Sequence, residues 1–196
     1  WTKLLGSSEE DDSWAITTGL DGSVYIAGET RGDLDGQTNS SSSNNDAFIT
    51  QLSADGEKQW TRLIGSTLED AAESIKTGLD GSIYITGETK GDLDGQTNNG
   101  KKDAFISKFS ADGEKQWTRL IGSSQGDHTQ GVTIGSDGSI YIAGNTKGNL
   151  DGQTNSGEYD AFISKFNSDG TKEWTRLLGT SSVDYGKALT TGSDGS

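Results

Sequence analysis

Residues 103–122 read DAFISKFSADGEKQWTRLIG, and the phrase returns as DAFITQLSADGEKQWTRLIG at 46–65 and as DAFISKFNSDGTKEWTRLLG at 160–179. In the middle copy Phe105 and Phe109 fall on one face of an extended segment, while Ala104 and Ile106 fall on the other. That period of two is the signature of a strand. The Asp-Gly step at 112-113 then turns the chain into a second strand, KQWTRLIG at 115–122. Gly takes a positive φ without a Cβ clash and Asp tolerates one, so such a step suits a tight hairpin.

Working outward, the same unit holds ESIKTG (73–78) and SIYITGET (82–89), joined by LDGS. In the latter, Ile83 and Ile85 alternate with Tyr84 and Thr86. Asp-Gly steps at 21-22, 55-56, 80-81, 112-113, 137-138, 169-170 and 194-195 punctuate the chain, which leaves little room for helices.

The unit begins again at Trp1, Trp60, Trp117 and Trp174, at spacings of 59, 57 and 57 residues. This divides one propeller-type region into repeats 1–59, 60–116 and 117–173 and a partial repeat 174–196. A period of this length marks stacked or radially arranged units, none of which buries its apolar face alone. Four antiparallel strands per period predict an all-β propeller of four-stranded blades. Trp1 falls in a fourth strand and Ser193 to Ser196 in the turn after a first strand, so fourteen strands, or about three and a half blades, are expected. Open strand edges invite pairing, so the partners expected first are further repeats or other copies of the chain.

In a meander of this kind the short Asp-Gly turns share one end. The DLDGQTN loops at 33–39 and 92–98, the related NLDGQTN at 149–155, and the inter-repeat segments such as GSSEEDDS (6–13) share the other. The long, acidic end is where recognition is expected, because binding residues concentrate on loops held by a rigid scaffold.

Lys and Arg number 16 against 30 Asp and Glu, a net charge of -14. Such a surface repels nucleic acid and anionic lipid, and is compatible with cations and positively charged proteins. Cys is absent, which excludes disulfides and thiol chemistry. No apolar run has the length of a membrane span, and there is neither a signal peptide nor a starting Met, so the chain reads as a mature product or a piece.

Taken together, DAFISKF, an Asp-Gly turn, WTRLIG, Asp127 and GVTIGSDGSIYIAGNT (131–146) resemble the bacterial seven-bladed β-propeller repeat (SBBP) family along essentially the whole chain. The resemblance implies a repeat from a secreted or cell-surface bacterial protein, with no shared catalytic residue set. The DLDGQTN loop departs from the family pattern, in which many members have a shorter segment ending in Pro.

That loop offers oxygens at regular spacing. Asp33, Asp35, Asn39 and Asp46, then Asp92, Asp94, Asn98 and Asp103, then Asn149, Asp151, Asn155 and Asp160 are of the types that Ca2+ prefers. Gly95 at the fourth position, a closing Asp and flanking strands distinguish it from an EF-hand. The alternative is that these side chains hydrogen-bond the loop's own backbone.

His128, the sole histidine, shares a column with Asp12, Ala71 and Tyr185. Trp14 shares one with Glu73, Gln130 and Lys187. Trp14, His128 and Tyr185 are the candidate contact residues of the rim, with surface decoration the plainer reading of His128. Glu88 with Asp92 could serve glycoside hydrolysis, but the pair recurs as Glu29 with Asp33, which a single active site would not need. The repeated Trp60, Trp117 and Trp174 fit packing between sheets better than sugar stacking. A non-enzymatic secreted or cell-surface repeat scaffold for binding or assembly, with a protein or glycan as ligand, is the expectation, and a calcium-dependent carbohydrate-binding module is the alternative.

Overall fold

In a computed structural model, residues 1–192 of the chain are described; the Asp194-Gly195 step lies outside them. Twelve strands form three four-stranded antiparallel sheets, each in plain sequence order. Blade 1 is β1 (Asp11–Thr18), β2 (Val24–Thr30), β3 (Asp46–Leu52) and β4 (Lys58–Ile64). Blade 2 is β5 (Asp70–Thr77), β6 (Ile83–Thr89), β7 (Asp103–Phe109) and β8 (Lys115–Ile121). Blade 3 is β9 (Asp127–Ile134), β10 (Ile140–Thr146), β11 (Asp160–Phe166) and β12 (Lys172–Leu178).

The alternation read from the sequence decides which sheet each side chain meets. Ile83, Ile85, Phe105 and Phe109 pack against Tyr25, Ala27, Ala47 and Ile49 of blade 1. Tyr84, Ala104 and Ile106 pack against Val132, Ile140, Ile142 and Phe162 of blade 3. Blade 2 is therefore buried on both faces, each fully buried Phe or Ile contributing about 1.5–3 kcal/mol of apolar transfer. Packing is closest between β1 and β5 and between β5 and β9, and it thins toward β4 and β8. The sheets thus fan outward from an axis lined by their first strands.

Trp60 sits between blades, as expected. Its ring lies 5.9 Å from that of Tyr25, its Nε1 donates to Ala111 O at 3.3 Å, and the Arg62 guanidinium covers it at 5.4 Å. Trp117 pairs in the same way with Tyr84 and Arg119.

Two expectations need correction. The first strand of the unit starts at Asp70 rather than Glu73, because a bulge between Ala72 and Ser74 interrupts the period of two that marks a strand in sequence. The fourteen strands are twelve among the described residues, in three blades. The segments at Trp1–Leu5 and 183–192 pair in no ladder, since a fourth strand needs its own third and a first strand its own second. They nevertheless occupy the positions that blades use: Trp1 Nε1 donates to Ala54 O at 3.1 Å, as Trp60 does to Ala111 O. At the other end Thr191 Oγ1 donates to Ile134 O as Thr77 Oγ1 does to Thr18 O.

Strand direction places the long loops together. Asn39, Asn98 and Asn155 each donate from Nδ2 to the carbonyl of Thr30, Thr89 and Thr146, the last residues of β2, β6 and β10.

Candidate functional site

The three long loops are closed by their own side chains, and each acid goes to a separate partner. Asp92 Oδ1 accepts the Asn98 N–H at 2.9 Å, and Asp33 accepts that of Asn39 at the same distance. Asn149 replaces the Asp in the third copy without loss, because its amide oxygen accepts the Asn155 N–H at 3.0 Å. Asn98 Oδ1 accepts from Gly100 N, and Asp103 Oδ2 from Asn99 N, each at 2.9 Å. Asp46 and Asp160 hold Ser40 N and Ser156 N in the same manner.

The middle acid of each loop turns away from the others. Asp35, Asp94 and Asp151 sit at φ 55°, 52° and 50°, each followed by a positive-φ Gly, making a two-residue hairpin closed by Leu-Gln bridges such as Leu93 with Gln96. The hairpin folds onto the outermost strand. Asp94 accepts from Thr118 Oγ1 at 2.5 Å and pairs with Lys115, and Asp35 does the same with Thr61 and Lys58. Asp151 meets Thr175 and Lys172. Burial would raise Asp35 and Asp151, but the adjacent Lys and Thr donors hold both below the ordinary carboxyl value. A calcium ion drawing on Asp94 would have to take it from Lys115 and Thr118.

The inner strands present a different set of residues. Each carries a bulge whose extra residue is Trp14 in β1, Glu73 in β5 and Gln130 in β9. The bulge requires Gly28, Gly87 and Gly144 opposite it: a Cβ on Gly87 would lie 1.8 Å from Ala71 O. This is the physical content of the repeated GET and GNT triplets. The bulge aims its extra residue at the axis. Trp14, Glu29, Ala71, Glu73, Glu88, Gln130 and Lys187 line an open hollow of about 520 Å³ there. Trp14 is 60% exposed at its edge.

Glu88 is the best-anchored acid of the hollow. Its Oε1 accepts from Lys102 Nζ, and its Oε2 is in hydrogen-bonding contact with His128 Nδ1. Burial opposes its ionisation, but His128 and Lys102 outweigh burial and hold it below the usual range. Glu73 is pushed up to about 7 by burial and by the neighbouring Glu88. One ligand atom from each of Glu73, Glu88 and His128 can be chosen so that all lie within 4.8 Å of one another.

Trp14 therefore lies in the axial hollow. His128 and Tyr185 lie in the adjoining one with Gln130, Asn145, Tyr159 and Lys187. His128 is not free decoration; it is half-buried and bound to Glu88 across the seam between blades 2 and 3. Glu73 and Glu88 were missed as partners of His128, since the three residues come from three strands of two blades. The available signal was the axial columns, which vary while the loops repeat.

The segment 116–151, from Gln116 in β8 through β9 and β10 to Asp151, matches the family model described as Beta-propeller repeat, SBBP. Over that stretch the chain is similar to an SBBP propeller repeat. The matched segment includes His128, Gln130 and Asn145, whereas Glu88 lies outside it. The chain is also similar to Regulatory protein FlaEY of Caulobacter vibrioides, with 29% identity over 186 residues, covering 85% of this chain. It spans about a fifth (20%) of the length of that protein.

Proposed function

We propose that these propeller repeats form a non-enzymatic scaffold of a secreted or cell-surface bacterial protein, which meets a basic protein partner at the long-loop end of its axis. The carrying observation is the contrast between two sets of positions. The loop residues repeat in kind and are used up within their blades. The axial columns differ from blade to blade and gather an exposed Trp14 with Glu29, Glu73 and Glu88 in one hollow. An aromatic beside desolvated carboxylates suits a Lys or Arg side chain, through cation–π contact and charge together.

Binding to arrays of basic peptides and of neutral glycans, with and without chelator, tests this. Retention of basic peptides, weakened by salt and reduced about 30-fold by Trp14→Ala as for an interface hot spot, is the expected outcome. Glycan retention abolished by chelator would replace it with the calcium-dependent carbohydrate-binding reading.

A further inference from the structure

Equivalent axial positions combine differently at each side of a blade. Where blades 1 and 2 meet they are Trp14, Glu29 and Ala71; where blades 2 and 3 meet they are Glu73, Glu88 and His128. On the far side of blade 3 they are Gln130, Asn145 and Tyr185. Among the described residues, the middle set is the group of three that brings potential metal-ligating atoms together.

We propose that Glu73, Glu88 and His128 form a site for one divalent first-row transition ion of the zinc class, on the wall of the hollow that also holds Trp14. One imidazole and two carboxylates suit zinc and its neighbours, whereas calcium takes six to eight oxygens. Metal–ligand bonds of about 2.0–2.2 Å place tetrahedral donors roughly 3.4 Å apart. Donor atoms that already lie within 4.8 Å reach this by modest side-chain rotation. Lys102 remains on the other oxygen of Glu88, orienting it as outer partners orient metal-bound carboxylates. The remaining coordination positions face the open hollow.

A purely structural ion-pair network accounts for Lys102, Glu88 and His128, but not for Glu73, whose carboxylate lies within reach of both other ligand atoms without a direct hydrogen bond or ion pair to them. A metal ion accounts for all of them.

The chain supplies its own fold-compatible variants. Ala71 occupies the His128 column, Gln130 the Glu73 column and Asn145 the Glu88 column. His128→Ala, Glu73→Gln and Glu88→Asn therefore each place a residue that a sister blade already accommodates. Titration with Zn2+ is expected to give one ion per chain, and Co2+ a visible absorption band. His128→Ala should weaken Zn2+ binding about 100-fold and abolish the band, since even outer-shell changes cost 10- to 100-fold. With one His and no Cys in the chain, any imidazole signal belongs to His128. Should a variant fail to fold, the wild-type imidazole proton resonance serves instead, broadened by substoichiometric Co2+. Equal Zn2+ binding by wild type and His128→Ala, no binding by wild type, an unmoved resonance, or Ca2+ and Mg2+ competing on equal terms would each overturn the site.

Discussion

Gly87→Val is expected to be among the most damaging single substitutions in the chain. The added Cβ would meet Ala71 O at 1.8 Å and the Ala71 carbonyl carbon and Ala72 Cα at 2.9 Å, all backbone atoms. No rotamer change relieves a clash with backbone, so either the β5 bulge is lost or β6 moves away from β5. Loss of the bulge would also withdraw Glu73 from the axis. The cost should be about 3 kcal/mol or more, at or above the upper end for overpacking. For a chain of this size that lowers Tm by roughly 6–12 °C. Gly95→Asn is the control: nothing lies within 4 Å of its Cβ position, and Asn tolerates the left-handed backbone there. It should cost less than about 1 kcal/mol. Thermal melts of the two variants check the contrast, and equal Tm values would show that the bulge does not need its glycine.

The chain should also be more stable at pH 5 than at pH 7.5. Asp70 is pushed up to about 6 by burial, with Asp46 across the seam adding repulsion. Asp103 is pushed up to about 6 by burial and by Asp127. In each case Oδ1 is buried without a hydrogen-bond partner. The folded values lie above the unfolded ones, so between about pH 4 and 6 the folded chain holds more protons than the unfolded chain. Stability therefore falls as pH rises through that window, by on the order of 2 kcal/mol for each group. Asp35 and Asp151 act in the opposite sense. Their folded values lie below the unfolded ones, so their contribution is present above about pH 4 and is lost only in stronger acid. Melts from pH 7.5 to 5.0 should show Tm rising, with a shallower rise in Asp103→Asn. A Tm that falls steadily over this range would contradict the assignment.

The blades were legible because strand period, Asp-Gly punctuation and the recurring Trp all agree. Phe105 with Phe109, and Ile83 with Ile85, face the blade that their alternation assigns. The end at which Asn39, Asn98 and Asn155 gather followed from strand direction alone. The bulge was hidden because Glu73 reads as the first polar residue of a strand, whereas it is an extra residue within one. The destination of Asp94 was hidden too. Its partners Lys115 and Thr118 lie across the blade on the outermost strand, and acids at regular spacing look alike whether they converge on an ion or diverge. His128 was underestimated for the same reason: its partner Glu88 belongs to another blade, forty residues earlier in the chain. Sequence shows what repeats; the seams between repeats depend on how unlike columns meet.

The central claim is that the repeated loops serve their own blades while the varied axis meets the outside. Backbone amide NMR on addition of a basic peptide retained in the binding arrays tests it most directly. The account expects shifts at Trp14, Glu73 and Gln130 and unchanged signals at Asn39, Asn98 and Asn155. Shifts confined to the three Asn loops, with the axial amides unmoved, would contradict it.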